Sequence, residues 1–213
     1  MKNIVIALLM LLLCKPLLGQ YQGDLLIKYS PSGLFDYYAQ YAQISGEYIF
    51  SGAQSIEFEG GFAFGESIWR ENPKFLFDQG IKIRGGWRKY LRQNRFTGIL
   101  MSFRNEQFSI EADFERFNAS FFERLAYNVD QQQYALLAQL GFFYPIRRRF
   151  TFELSGGAGL RAIIRNYSGV PEDANFITNN TLFAQFSRET ERIMQLSLFI
   201  SIKFGFVLSK SNN

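Results

Sequence analysis

From Met194 to Leu208 every even-numbered residue is apolar: Met194, Leu196, Leu198, Ile200, Ile202, Phe204, Phe206 and Leu208. Between them stand Gln195, Ser197, Phe199, Ser201, Lys203, Gly205 and Val207. A period of two held this long sorts side chains onto the two faces of an extended strand, a separation that no helix of 3.6-residue period can make. Strands of water-soluble domains average five or six residues, whereas a tilted strand crossing a bilayer needs about nine to eleven. The length of this alternation points to a strand built to span a membrane.

The same register returns at Phe150, Phe152, Leu154, Gly156, Ala158, Leu160, Ala162 and Ile164, opposite Thr151, Glu153, Ser155, Gly157, Gly159, Arg161, Ile163 and Arg165. Residues 54–65 set Ile56, Phe58, Phe62 and Phe64 against Ser55, Glu57, Glu59 and Gly61, and residues 79–91 set Ile81, Ile83, Trp87 and Leu91 against Lys82, Arg84, Gly86 and Arg88. Weaker alternation covers 42–51, 132–146 and 24–34, the last with Pro31 near its end, where proline predicts a bulge or an interrupted ladder. In 96–117 the parity slips, because Ile99, Met101 and Phe103 are odd while Phe108, Ile110, Ala112 and Phe114 are even. One long strand with a bulge near Arg104 to Gln107 explains the slip, its charged end (Glu111, Asp113, Glu115, Arg116) projecting beyond the membrane. A tight turn at that point, which would add a strand, is the alternative.

Eight strands leave connections of alternating length. Ser51 to Gln54, Leu91 to Arg95 and Pro145 to Arg149 are tight, whereas Phe35 to Tyr41, Glu66 to Asp78, Asn118 to Gln131 and Asn166 to Arg192 are long. Outer-membrane barrels have short periplasmic turns and long external loops, which here would put both termini in the periplasm. Residues 1–19 agree with export: Lys2, an apolar run from Ile4 to Leu13, and Gly19 before a polar Gln20 read as a signal peptide too short to span a bilayer. An uncleaved anchor is one alternative; a lipoprotein signal is another, but Cys14 follows Leu11, Leu12 and Leu13 where a small residue is wanted. The expectation is therefore an all-β, eight-stranded antiparallel up-and-down transmembrane β-barrel over residues 20–213, in the outer membrane of a Gram-negative cell envelope and surrounded by its lipid.

Alternation alone does not say which face is inside, because a soluble lipocalin-like carrier also has eight alternating strands with its apolar face inward. The membrane reading is favoured by apolar faces rich in aromatics, in a chain with 24 Phe, 11 Tyr and 18 Gly. It is favoured too by opposite faces that mix glycine, serine and charges of both signs, as a narrow lumen requires. On that reading Lys28, Glu47, Glu57, Glu59, Lys82, Arg84, Arg88, Glu153, Arg161 and Lys203 point into the lumen and pair there. The alternative use of those charges is a narrow porin-like path for ions or small solutes, although eight strands leave room for little beyond side chains. Tyr29, Tyr48, Trp87, Tyr90, Tyr144 and Phe206 are the candidates for interfacial aromatic belts.

These features resemble the porin-like outer-membrane β-barrel family of small barrels. The resemblance covers residues 24–208 and is carried by Gly46-Glu47-Tyr48, Gly60-Gly61-Phe62, Gly156-Gly157-Ala158-Gly159 and the alternating Lys203 to Phe206 terminus. It implies handling by the barrel-assembly machinery through the closing strand, although Ser209 to Asn213 follow Leu208 where such signals end on an aromatic.

The composition excludes several chemistries. There is no histidine, and the single cysteine lies in the leader, so Ser-His, His-Asp and Cys-His catalysis are absent and the usual zinc site is disfavoured. Glu57 with Glu59, and Glu111 with Asp113 and Glu115, share strand faces and would suit acid/base work or calcium, but salt-bridged or solvated carboxylates explain them as well. The Gly-Gly pairs precede no helix and are not phosphate loops. Loss of Lys2 and Lys15 with the leader leaves a charge of about +2 and no basic stripe, which argues against nucleic acid. No catalytic residue, metal or cofactor is therefore expected. The remaining candidates are Tyr167, Phe176, Phe183 and Phe186 in the long loop, as contacts for an envelope protein or a surface glycan, or simply as packing onto the rim.

Overall fold

A computed structural model describes residues 23–36, 39–51, 53–66, 75–91, 94–116, 121–146, 149–169, 175–176 and 190–209. The described chain is all-β: β1 (Leu25–Tyr29), β2 (Ala39–Ser51), β3 (Gln54–Glu66), β4 (Phe75–Tyr90), β5 (Arg95–Arg116), β6 (Phe121–Pro145), β7 (Phe150–Ser168), β8 (Asn175–Phe176) and β9 (Glu191–Ser209). Eight of these form one antiparallel sheet, each pairing with its neighbour in sequence. The pairings of β4 with β5 and of β1 with β9 close the sheet into a ring. The two-residue β8 stands outside the ring, its Phe176 opposite Phe114 of β5. The leader residues 1–19 lie outside the described residues, as do Phe183 and Phe186.

Alternation does the sorting that the strand geometry demands. On the outer face Ile44, Phe58, Phe62, Met101, Leu136, Leu140 and Leu198 are more than half exposed, while their neighbours Gln43, Glu57, Glu59, Leu137, Gln139 and Lys203 are buried inside. The ring is thus apolar outside and charged inside, the reverse of a water-soluble core.

The stretch expected as one strand is continuous over Arg95–Arg116, as the first of the two readings has it, but it contains no bulge. β5 and β6 pair residue for residue from Arg95↔Phe142 to Arg116↔Phe121. The parity of the apolar residues slips because the two faces exchange character. Below the level of Phe103 and Tyr134, whose rings sit 5.2 Å apart, the apolar side chains point outward. Above it Phe108, Phe114, Tyr127 and Val129 point inward and pack together, with Ile110, Leu125 and Tyr167 against them. Most outward positions there are polar, among them Asn105, Gln107 and Glu111 on β5 and Asn128, Asp130 and Gln132 on β6, while Phe122 near the tip of β6 is an exposed apolar exception. This upper part obeys the ordinary soluble rule, so its surroundings differ from those of the part below.

Three further expectations need correction for the same reason, that strands continue past the apolar band. Residues 121–131 belong to β6 rather than to a loop, Tyr167 lies in β7, and β4 begins at Phe75. Conversely β1 is shorter than expected. It stops at Tyr29, and Pro31–Phe35 forms a 3-10 turn that folds inward, with Gly33 buried.

Candidate functional site

The interior is layered along the ring axis. At the end with the tight turns, Leu26, Ile49, Tyr90, Phe96, Phe143 and Val207, contributed by six strands, form a buried apolar cluster. Tyr90 meets Phe96 and Phe143 edge-on, at 5.8 and 5.6 Å. Its expected place in an outer aromatic belt is therefore wrong: it sits at an even position of a strand whose outward residues are odd, and its hydroxyl donates to Glu47 at 2.7 Å. Tyr29, Tyr48 and Trp87 do face outward.

Above that cluster lies an ionic layer in which Lys28, Glu47, Glu57, Arg88, Glu153 and Lys203 are all at most 5% exposed. Several of its bonds cross the ring. The Arg88 guanidinium of β4 donates to both carboxylate oxygens of Glu153 on β7, at 2.8 and 3.0 Å, and Lys203 of β9 reaches Glu57 of β3 at 2.8 Å. Lys28 bonds Glu153 at 2.5 Å and pairs with Glu47, and Arg88 pairs with Glu57. Ser45 donates to Glu57 at 2.6 Å, and Ser55 donates to Glu47. The layer also rests on the cluster below, since the Arg88 guanidinium lies 4.5 Å from the Phe96 ring centre and Lys28 lies 5.7 Å from that of Phe143. Glu59 continues it upward, held by Lys203 at 2.6 Å and Arg84 at 3.2 Å. With three of their cationic neighbours this close, Glu57 and Glu59 are structural counter-ions rather than a free acid/base pair.

A third group was not legible as a site. Asp36, just after the 3-10 turn, accepts from Lys82 at 3.2 Å and from Arg104 at 3.0 Å. Glu106 accepts from Tyr41 at 2.8 Å, Gln131 at 3.1 Å and Gln133 at 3.0 Å, and pairs with Arg104 at 3.3 Å. Arg161 donates to Gln133 at 3.1 Å, and the Gln195 amide oxygen, turned toward it, lies 3.2 Å from its Nε. Arg104 and Glu106 would have been found by carrying the even-inward parity of 96–102 through without a bulge; Asp36 and Tyr41 fell in an expected loop.

All ten charged residues expected inside are thus placed there, nine in contact with an opposite charge and Arg161 with amides. Of the loop candidates, Tyr167 lies 6.4 Å from Tyr127, ring to ring, and only the backbone of Phe176 is described. On the tall β5–β6 hairpin the exposed Arg124 is held above its usual range by its 2.9 Å bond to Asp113, and burial pushes the Tyr127 hydroxyl up. Of the two other carboxylate candidates there, Glu111 is exposed, and the side chain of Glu115 lies outside the described residues. The sequence matches no protein-family model and no curated protein. The resemblance to porin-like barrels therefore rests on strand pattern.

Proposed function

We propose that this chain is an integral outer-membrane β-barrel, non-enzymatic, with a packed polar lumen and with a tall β5–β6 hairpin and long loops that serve binding or envelope structure. The observation that carries this is the two-faced ring. Outer apolar side chains such as Leu140 are 67% exposed, while Glu47, Arg88 and Glu153 inside are at most 1% exposed. Water on the outside would leave that apolar band without a partner, whereas hydrocarbon suits it. The band has a suitable height. On β6 the outward residues from Tyr134 to Tyr144 are apolar and end in tyrosine at both limits. About ten residues at ~3.3 Å each, tilted by ~40°, rise ~25 Å, close to the thickness of a transmembrane barrel's apolar belt. Tyrosine at each limit suits the headgroup level.

A porin-like path would need a continuous aqueous lumen, and the cross-ring ion pairs and the apolar cluster beneath them argue against one. A soluble lipocalin-like carrier would need an apolar cavity where the ionic layer stands. Cell fractionation tests the assignment: the protein partitions with outer membranes, needs detergent, and migrates faster on gels when unheated. Folded protein recovered from the aqueous periplasmic fraction overturns it. Planar-bilayer recording of the purified protein is expected to give no steady conductance, and stepwise openings would restore the channel.

A further inference from the structure

Among the described residues the wall of the ring is interrupted on one side of β9. On its β1 side β9 has a strand partner only at residues 204–209, because β1 ends at Tyr29, opposite Phe204. Just above, Ser30 donates to the Ile202 carbonyl at 3.2 Å and Ser32 to the Ser201 hydroxyl at 3.5 Å. Backbone groups of an extended strand point to alternate sides, so those of Leu196, Leu198 and Ile200 face the same way as that of Ile202. The Phe199 carbonyl lies on the other side, against Gly156 of β7. Among the described residues no backbone hydrogen bond closes the gap beside 196–200. The 3-10 turn borders the gap but leans into the ring, where a Cβ on Gly33 would stand 2.6 Å from the Tyr41 carbonyl. The outward side chains along this edge, Met194, Leu196, Leu198 and Ile200, are 74–81% exposed, and no other large apolar side chain among the described residues exceeds 67%.

Behind the gap lies a cavity of about 430 Å³, walled by the 3-10 turn, by Ser197 to Ile200 of β9, and by the upper interior charges. Its lining holds four cations, Lys82, Arg84, Arg104 and Arg161, and one carboxylate, Asp36. Asp36 is shared by Lys82 and Arg104. Arg84 pairs with Glu59, which Lys203 also holds, and its buried Nε has no acceptor among the described residues. Among the described residues Arg161 meets only the amide oxygens of Gln133 and Gln195. A cation withdrawn from bulk water calls for a counter-charge, and amides supply only partial compensation.

Resting on the membrane reading above, we propose that this gap is a lateral doorway and the cavity behind it a site for an anionic amphiphile from the bilayer. A phosphate or carboxylate headgroup sits between Arg161 and Arg84, and its hydrocarbon chain leaves past the 3-10 turn along Leu196, Leu198 and Ile200. Its oxygens accept from the open N–H groups of β9, which lipid tails alone would leave unsatisfied. A dissolved anion lacks the apolar part that this edge exposes.

The full chain, folded in a non-ionic detergent, is titrated with lysophosphatidic acid, lysophosphatidylcholine or inorganic phosphate, with bound molecules counted by native mass spectrometry. Lysophosphatidic acid is expected to bind one per chain, at least about tenfold tighter than either other probe, as the loss of a charged contact implies. Arg161→Gln should weaken it by a similar factor while Arg161→Lys retains most of it. Phosphate binding as tightly makes this a site for a free anion and overturns the doorway; equal binding of the choline lipid overturns the charge recognition. Wild-type protein carries both comparisons, so they stand even where a variant misfolds. A chain lacking heat-modifiable migration defeats the membrane reading itself, whereas a folded one binding neither lipid defeats only the doorway.

Discussion

Arg88 is the side chain on which the interior most depends, and Arg88→Met tests whether the ionic layer is a packed core. Arg88 is 1% exposed, bonds Glu153 through two nitrogens, pairs with Glu57 and lies 3.7 Å from Glu47. The layer balances Lys28, Arg88 and Lys203 against Glu47, Glu57 and Glu153. Methionine keeps much of the volume but leaves three carboxylates to two ammonium groups. Removing one partner from a buried pair costs about 3–5 kcal/mol, because the survivor remains desolvated and uncompensated. Loss of the guanidinium over Phe96 adds roughly 0.5–2 kcal/mol. Adding Glu153→Gln restores two against two, so the double variant should recover at least about 2 kcal/mol relative to the sum of the singles. Urea unfolding in lipid vesicles, followed by tryptophan fluorescence and by the unheated gel band, reads all four proteins. An Arg88→Met cost under about 1 kcal/mol, or strictly additive variants, would refute a packed, charge-balanced interior.

The exchange of faces at Phe103 and Tyr134 makes opposite predictions for two outward positions of one strand. Leu140→Arg should cost about 2–4 kcal/mol near the middle of the apolar band, while Asn128→Arg, above it, should stay within about 0.5 kcal/mol; the same urea titration checks both. Phe114→Ala, inside the upper cluster, should cost about 3–5 kcal/mol locally. Its signature is faster proteolysis of the β5–β6 hairpin with the unheated gel band of the ring unchanged.

The strands and the partition of their side chains were legible because parity is a local property: Glu57 and Phe58 cannot share a face in any extended chain, whatever surrounds them. The ten interior charges followed from the same rule. The failures came where parity had to be combined with a guess about surroundings. The slip between Phe103 and Phe108 looked like a bulge because the apolar side was assumed to point one way throughout. In the folded chain the backbone continues in register and the environment changes instead. The amphipathic ring of Tyr90 suits a headgroup belt, but its even position on β4 turns it inward.

What the sequence determined alone is the alternation that makes strands of 150–165 and 194–208, and the absence of histidine, which excludes catalysis that depends on an imidazole. Tertiary structure decided which strands meet across the ring, so that Arg88 finds Glu153 and Lys203 finds Glu57 over sequence separations that no local pattern encodes. It also decided that the chain leaves the wall at Pro31 and carries Asp36 inward to Lys82 and Arg104. Period-two patterning constrains each residue relative to its neighbours only. Partners across a closed sheet depend on the register of every strand between them, and that register exists only once the ring has closed.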